Sequence, residues 1–261
     1  MKKKKAFQKP LVGFIALTYA IFIVFFIGIG ISLLLEVPPS VTDTLQIISS
    51  WSSTFAFLIL FKRIYPGVKL VTFIKELFTI KIKLSVLTTI VIIQVIIIVA
   101  TIFILSHINQ SLALFYLGPL PLFIMFIDNL VRGPLGEELG WRGYALNELQ
   151  KQYSPLKSSI IVGVLWGGWH TPLWFATGYT GINLFKYILL FMIGILSFSI
   201  IMAFFYNLNK NLMIPIIMHQ LFNYSLVIVK GDLLDILTYI MILYLVVAIL
   251  LISINPKSIL Y

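Results

Sequence analysis

The sequence predicts an all-α, polytopic membrane protein with about eight transmembrane helices, and three observations carry that reading. Of 261 residues, 60 % are hydrophobic and only 11 % are charged, and mean hydropathy is +1.05. A soluble domain carries about 25 % charged residues, so this composition excludes one. The apolar residues fall in runs long enough to cross a bilayer, which needs roughly 20 residues per helix. The basic residues fall between those runs, on alternate loops.

The runs follow in order. Leu11–Leu35 carries no charge, and Ile47–Phe61 is shorter and rich in Ser. Leu84–Ser106 is uncharged and rich in Ile and Val. Pro121–Gln150 begins apolar and ends polar. Ser158–Ala176 contains His170, Tyr187–Tyr206 is uncharged, Asn211–Val229 contains His219, and Leu233–Ile254 contains Asp235. Before the fourth run, Leu112–Leu120 reads as a re-entrant or interfacial piece, because Pro119 and Pro121 disfavour a continuous helix. Met1-Lys-Lys-Lys-Lys resembles the start of a signal peptide. The apolar run behind it is far longer than a signal core of about 7–15 residues, so it reads as a retained first span. The Lys62–Lys83 loop sets Val71, Phe73, Ile74, Leu77 and Phe78 among lysines, the pattern of an interfacial helix on the inner leaflet.

Orientation follows from counting cations. With the N-terminus cytoplasmic, eight spans return the C-terminus to the same side. Seventeen Lys and Arg, including Arg132 and Arg142 on the fourth run, then fall inside; Lys186 and Lys230 fall outside. The expected location is the cytoplasmic membrane of a bacterium, multi-pass, with both termini cytoplasmic. The net charge of +10 is then met by anionic lipid headgroups, and no nucleic-acid partner is implied. There is no cysteine, hence no disulfide, thiolate nucleophile or Cys-ligated metal. The chain reads as a single integral membrane domain over residues 1–261.

Ionisable groups inside a membrane are costly and mark functional sites. Here they cluster in Gly133-Pro-Leu-Gly-Glu-Glu-Leu-Gly-Trp-Arg-Gly143, in Trp166-Gly-Gly-Trp-His170, and in His219-Gln-Leu-Phe-Asn223. Glu138 and Arg142 are four apart and share a helix face, so they can pair. Glu137 points about 100° away and has no such partner on its helix. His219 and Asn223 also share a face, and Trp166 lies one turn before His170. Counted from the inner ends of their spans, His170, His219 and Glu137 lie roughly 18, 12 and 20 Å deep. Gly136/Gly140 and Gly163/Gly167 would allow the three helices to approach closely. Tyr144, Gln220 and Tyr224 are further candidates to line the cavity. A buried carboxylate, two imidazoles and an amide suit hydrolysis: one group takes a proton from water and others donate to the oxyanion.

The ordered set Glu137-Glu138-xxx-Arg142, Trp166-xxx-His170 and His219-xxx-Asn223 resembles the CPBP family of intramembrane proteases (CAAX prenyl protease type II, bacteriocin-processing, Abi-like). The family pattern is EExxxR, FxxxH, HxxxN, and Trp166 stands here for Phe, keeping an aromatic wall. The resemblance marks residues 120–225 as the catalytic core and implies peptide-bond hydrolysis within the membrane. Glu137 with His170 would activate water, His219 with Asn223 would stabilise the oxyanion, and Glu138, Arg142 and Trp166 would support the site. The cofactor is either a divalent metal, Zn held by Glu137, His170 and His219, or none. The reading leans to water held without a metal, since no HExxH fixes two histidines one turn apart. The expected partner is a membrane-embedded or lipidated peptide: a pheromone or bacteriocin precursor, or a bacteriocin in self-immunity. The rivals are a non-catalytic immunity protein that retains the motifs and a proton-coupled transporter.

Overall fold

The computed structural model describes residues 9–108, 113–114 and 118–260. It is a helical bundle. Helix α1 (Lys9–Leu34) is followed by α2 (Pro39–Ser50) and α3 (Ser52–Ile64), an apolar pair bent by 51° at Trp51. The short α4 (Leu70–Thr79) buries none of its residues, and α5 (Leu84–Ile108) is one continuous helix of 25 residues. The fourth apolar segment is divided into α6 (Pro119–Arg132), α7 (Pro134–Glu138), a π-helical stretch (Leu139–Leu146) and α8 (Asn147–Gln150). The fifth divides into α9 (Pro155–Trp169) and α10 (Thr171–Ala176). Then come α11 (Gly181–Asn209), α12 (Met213–Ile228), α13 (Leu233–Ile254) and α14 (Pro256–Leu260). A two-residue antiparallel pairing joins β1 (Ala113–Leu114) to β2 (Val229–Lys230). The Lys-rich start, and residues 112 and 115–117 of the expected re-entrant piece, lie outside the described residues.

All eight apolar segments are therefore helical, but they do not span alike. Helices α1, α5, α11 and α13 are each long and apolar enough to cross a membrane, and the bent α2–α3 pair is so only if its two helices are taken as one span. The three segments that carry the polar motifs are broken or shorter. Protein encloses α7 and the π-helical stretch, where irregular backbone at membrane depth needs such cover, whereas α6 and α10 bury none of their residues. Helix α11 is central, packing on α9 and α13, while α1 packs on α2 and α3. On the periphery, Val24 and Ile27 of α1 and Ile92, Ile96 and Val99 of α5 are exposed, as lipid-facing positions should be.

The breaks have local causes. Gly133, between α6 and α7, is followed by Pro134 at the first position of α7, where a missing N–H costs nothing. Pro172 cannot donate to the carbonyl of Gly168 four residues back; the Thr171 hydroxyl does so instead, at 2.6 Å. The helix stops at His170 and restarts as α10. In the π-helical stretch, the Asn147 amide caps the carbonyls of Arg142 and Gly143 at 3.1 and 3.0 Å and also donates to the Tyr206 hydroxyl. A turn of π-helix often marks a functional position, and this one begins directly after Glu138.

Both glycine pairs pack closely, but not where expected. A Cβ on Gly136 would lie 2.6 Å from the Trp51 ring and one on Gly140 2.6 Å from Ser53. That pair therefore receives the α2–α3 bend. Gly163 and Gly167 receive Leu196, Ser199 and Met192 of α11. Neither pair packs one motif helix directly onto another. The start of α12 is held by two amides: Asn211 Nδ2 donates to the carbonyls of Phe78 and Ile80 at 3.1 and 2.6 Å, and Asn209 Oδ1 accepts from the Lys83 amide at 2.8 Å.

Candidate active site

The Glu137 carboxylate sits on α7, 4 % exposed. The Ser53 hydroxyl, on the facing turn of α3, donates to its carbonyl at 3.1 Å. This bond and the close fit of Gly136 and Gly140 against α2–α3 fix the rotation of α7. Glu137 is not free of partners as its own helix suggests. Its Oε2 accepts from Trp166 Nε1 on α9 at 2.5 Å. Phe could not make this bond, so Trp166 does more than wall the cavity: it orients the carboxylate. The Arg142 guanidinium lies over the Trp166 ring, 4.1 Å from its centroid, a cation–π contact that holds the indole from behind.

Glu138 and Arg142 pair as their spacing predicts, NH1 to Oε1 at 3.0 Å, with side chains 0 and 1 % exposed. The same oxygen also accepts from His219 Nδ1 on α12 at 2.8 Å. Glu138 is therefore a bridge between two motif helices, a role that no spacing within one helix could disclose. A carboxylate oxygen only accepts, so His219 carries its proton on Nδ1 and turns Nε2 elsewhere. His170 is held alike: its Nδ1 donates to the Trp166 carbonyl at 2.7 Å, which again leaves Nε2 available. The two imidazoles flank the indole ring, with centroids 5.8 Å (His170) and 5.1 Å (His219) from it.

Glu137, Trp166, His170, His219 and Asn223 all line one cavity of ≈ 510 Å³. Gly133 lines it too. A Cβ there would come 3.0 Å from Asn223 Nδ2 and 3.6 Å from His219 Nε2. The missing side chain thus keeps open a small space faced by Asn223 Nδ2 and His219 Nε2. Glu138 and Arg142 do not line the cavity; they are packed beneath it. Among the described residues, no three His, Asp or Glu side chains come together as a metal-binding group. Glu137, His170 and His219 do not fit a three-ligand zinc centre in this arrangement.

Some sequence expectations are corrected. Tyr144, Gln220 and Tyr224 do not line the cavity. Tyr144 is packed among Phe14, Phe57 and Tyr65, and Gln220 and Tyr224 donate to the carbonyls of Phe126 and Leu122 on α6. Arg132 does not sit with the other cations that the count places inside. It binds Asp128 at 2.7 Å and Gln46 at 2.9 Å, and lies 3.6 Å from Asp43. Asp43 belongs to the opposite end of the bundle, near the start of α2. Proximity to Asp43 cannot be read from sequence. The Gly-Pro break after Arg132 was the available signal that the helix does not simply continue inward.

Residues 117–225 match the family described as type II CAAX prenyl endopeptidase Rce1-like. A relative described as CAAX prenyl protease 2, from Methanococcus maripaludis, is 38 % identical over 106 residues, 39 % of this chain and 39 % of its own length. The chain thus matches about two fifths of that relative. The matched residues include every group just placed around the cavity except those of α1–α3, α13 and their loops. The similarity to the Rce1-like type II CAAX prenyl endopeptidases is confined to this motif-bearing segment, residues 117–225.

Proposed function

We propose that this multi-pass membrane protein is an intramembrane endopeptidase of the CAAX type, cutting a membrane-associated peptide with water. The observation that carries this is the convergence of Glu137, His170, His219 and Asn223 on one cavity. Glu137 and His170 Nε2 hold a water between them, and Glu137 takes its proton as oxygen attacks the scissile carbonyl. The carbonyl oxygen becomes an oxyanion in the space left open by Gly133, where Asn223 Nδ2 and His219 Nε2 donate to it. Donation from Nε2 while Nδ1 is bonded to Glu138 requires both ring nitrogens to be protonated, and Glu138 supplies the counter-charge. As the C–N bond breaks, the proton held by Glu137 passes to the amine. The reading requires no resident metal; retained activity after chelation, with no stoichiometric zinc in the purified protein, supports it, and loss of activity on chelation overturns it.

The relative's name points to a CAAX tail as substrate. An apolar precursor of a pheromone or bacteriocin is the alternative of the same class. The test is cleavage of both peptide types by the reconstituted protein. Glu137→Gln should abolish it without unfolding the bundle; cleavage at the parent rate would mean that this carboxylate does not activate the water.

A further inference from the structure

The bundle is unevenly filled along its axis. Toward the end that carries Lys9, the interior is solid: Phe14, Phe57, Trp141, Tyr144, Val162 and Ile214 are all essentially inaccessible. Helix Met213–Ile228 begins here, tied to the loop before α5. Arg142 fills the space just below Glu137. Toward the other end the interior is hollow. The cavity is lined there by Phe26 and Leu33 from the second half of α1, Gln46 from α2, Ala176 from α10, Tyr187 from the first turns of α11 and Leu233 from the start of α13. Except for Gln46, in the middle of α2, each of these lies in the half of its helix that is remote from Lys9. The rim is polar where Arg132 meets Asp43 and Asp128, whose side chains are 57 and 48 % exposed.

The two ends also differ in charge. With Arg142 buried in the interior and Arg132 beside Asp43, three cations remain at the hollow end: Arg132, Lys186 and Lys230. Eleven other described Lys and Arg belong to the solid end, among them Lys62, Lys75, Lys83, Lys157 and Lys210. A bias of this size orients the lysine-rich end toward the cytoplasm.

Taken together, the packing and the charge lead us to infer that the cavity opens on the non-cytoplasmic side. The substrate is then a peptide whose apolar anchor is seated in the outer leaflet, and not a lipidated tail presented from the cytosol. This rests on the proposed hydrolysis for its substrate, but the direction of opening stands independently of any chemistry.

The absence of cysteine makes the test direct, because each variant carries one thiol. Asp43→Cys reports the rim, Ser50→Cys the cavity wall and Lys75→Cys the opposite end. Right-side-out and inverted membrane vesicles are treated with a membrane-impermeant maleimide. The expected result is modification of Asp43→Cys and Ser50→Cys in right-side-out vesicles only, and of Lys75→Cys in inverted vesicles only. The reverse pattern overturns the orientation. Ser50→Cys reacting from the side of Lys75→Cys, or from neither side, overturns the route of access. None of these readouts needs catalysis, so they stand even if Glu137 proves dispensable. An acylated fluorogenic peptide added to the outside of right-side-out vesicles should be cut, with loss of cleavage when the same peptide is added to inverted ones. Cleavage confined to inverted vesicles would refute the substrate assignment while leaving the hydrolase reading intact.

Discussion

Glu137 and Glu138 are neighbours in sequence and both are buried, yet the structure treats them oppositely. Glu138 shares one oxygen between Arg142 and His219 and is sealed from the cavity. Glu137 borders the cavity and has one identified side-chain partner, the Trp166 indole. One residue step on a helix, about 100°, separates a carboxylate tied to two donors, Arg142 and His219, from one left able to exchange a proton. The lesson is that a tandem acid pair in a membrane divides into a fastener and a reagent, and the helix face decides which is which.

That contrast is open to attack at several strengths. Glu137→Gln keeps shape and the indole contact but cannot accept a proton; cleavage should fall by at least about 10²–10⁴-fold with an unchanged unfolding midpoint. Asn223→Ala should lower kcat by about 10²–10³-fold with little change in KM, as for removal of one oxyanion donor. Glu138→Ala should behave differently from both. It leaves the Arg142 charge unpaired in the interior, so stability should drop by about 3–5 kcal/mol, measured by unfolding in detergent, and activity should fall as a consequence. A Glu138→Ala protein that is stable but inactive would erase the division of labour. Trp166→Phe supplies the family's usual aromatic and removes a single N–H donor to a carboxylate, worth about 1.5–3 kcal/mol. Cleavage should slow by about one to two orders of magnitude, read from kcat, with the fold intact. Smallest of all, Asp43→Asn at the rim breaks an exposed ion pair and should move stability by less than about 1 kcal/mol.

Much of this was legible in the sequence because it depends on residue type and spacing within one helix. The apolar segments, the Glu138–Arg142 pair, a Glu137 without a partner on its own helix and the placing of His219 and Asn223 on one face are all of this kind. The contacts between helices were not legible. Nothing in a 3.6-residue period states how α9 is rotated against α7, so the bond from Trp166 to Glu137 and the bridge from Glu138 to His219 were invisible. The glycine pairs announced close packing without naming the partner, and the α2–α3 bend filled one of them. The break at His170 was signalled by Thr171-Pro172, whereas the π-helical turn after Glu138 left no comparable mark. Arg132 was misplaced because a long apolar-to-polar segment reads as one helix, while Gly133-Pro134 divides it.

The solid floor beneath Glu137 has a consequence for turnover. A chamber closed at its base is a cul-de-sac: both fragments of a severed chain must back out toward the side from which the intact chain arrived. Escape of the more lipophilic fragment then competes with the arrival of the next molecule, and a rapid first round followed by a slower steady rate is the kinetic trace such a dead end would leave.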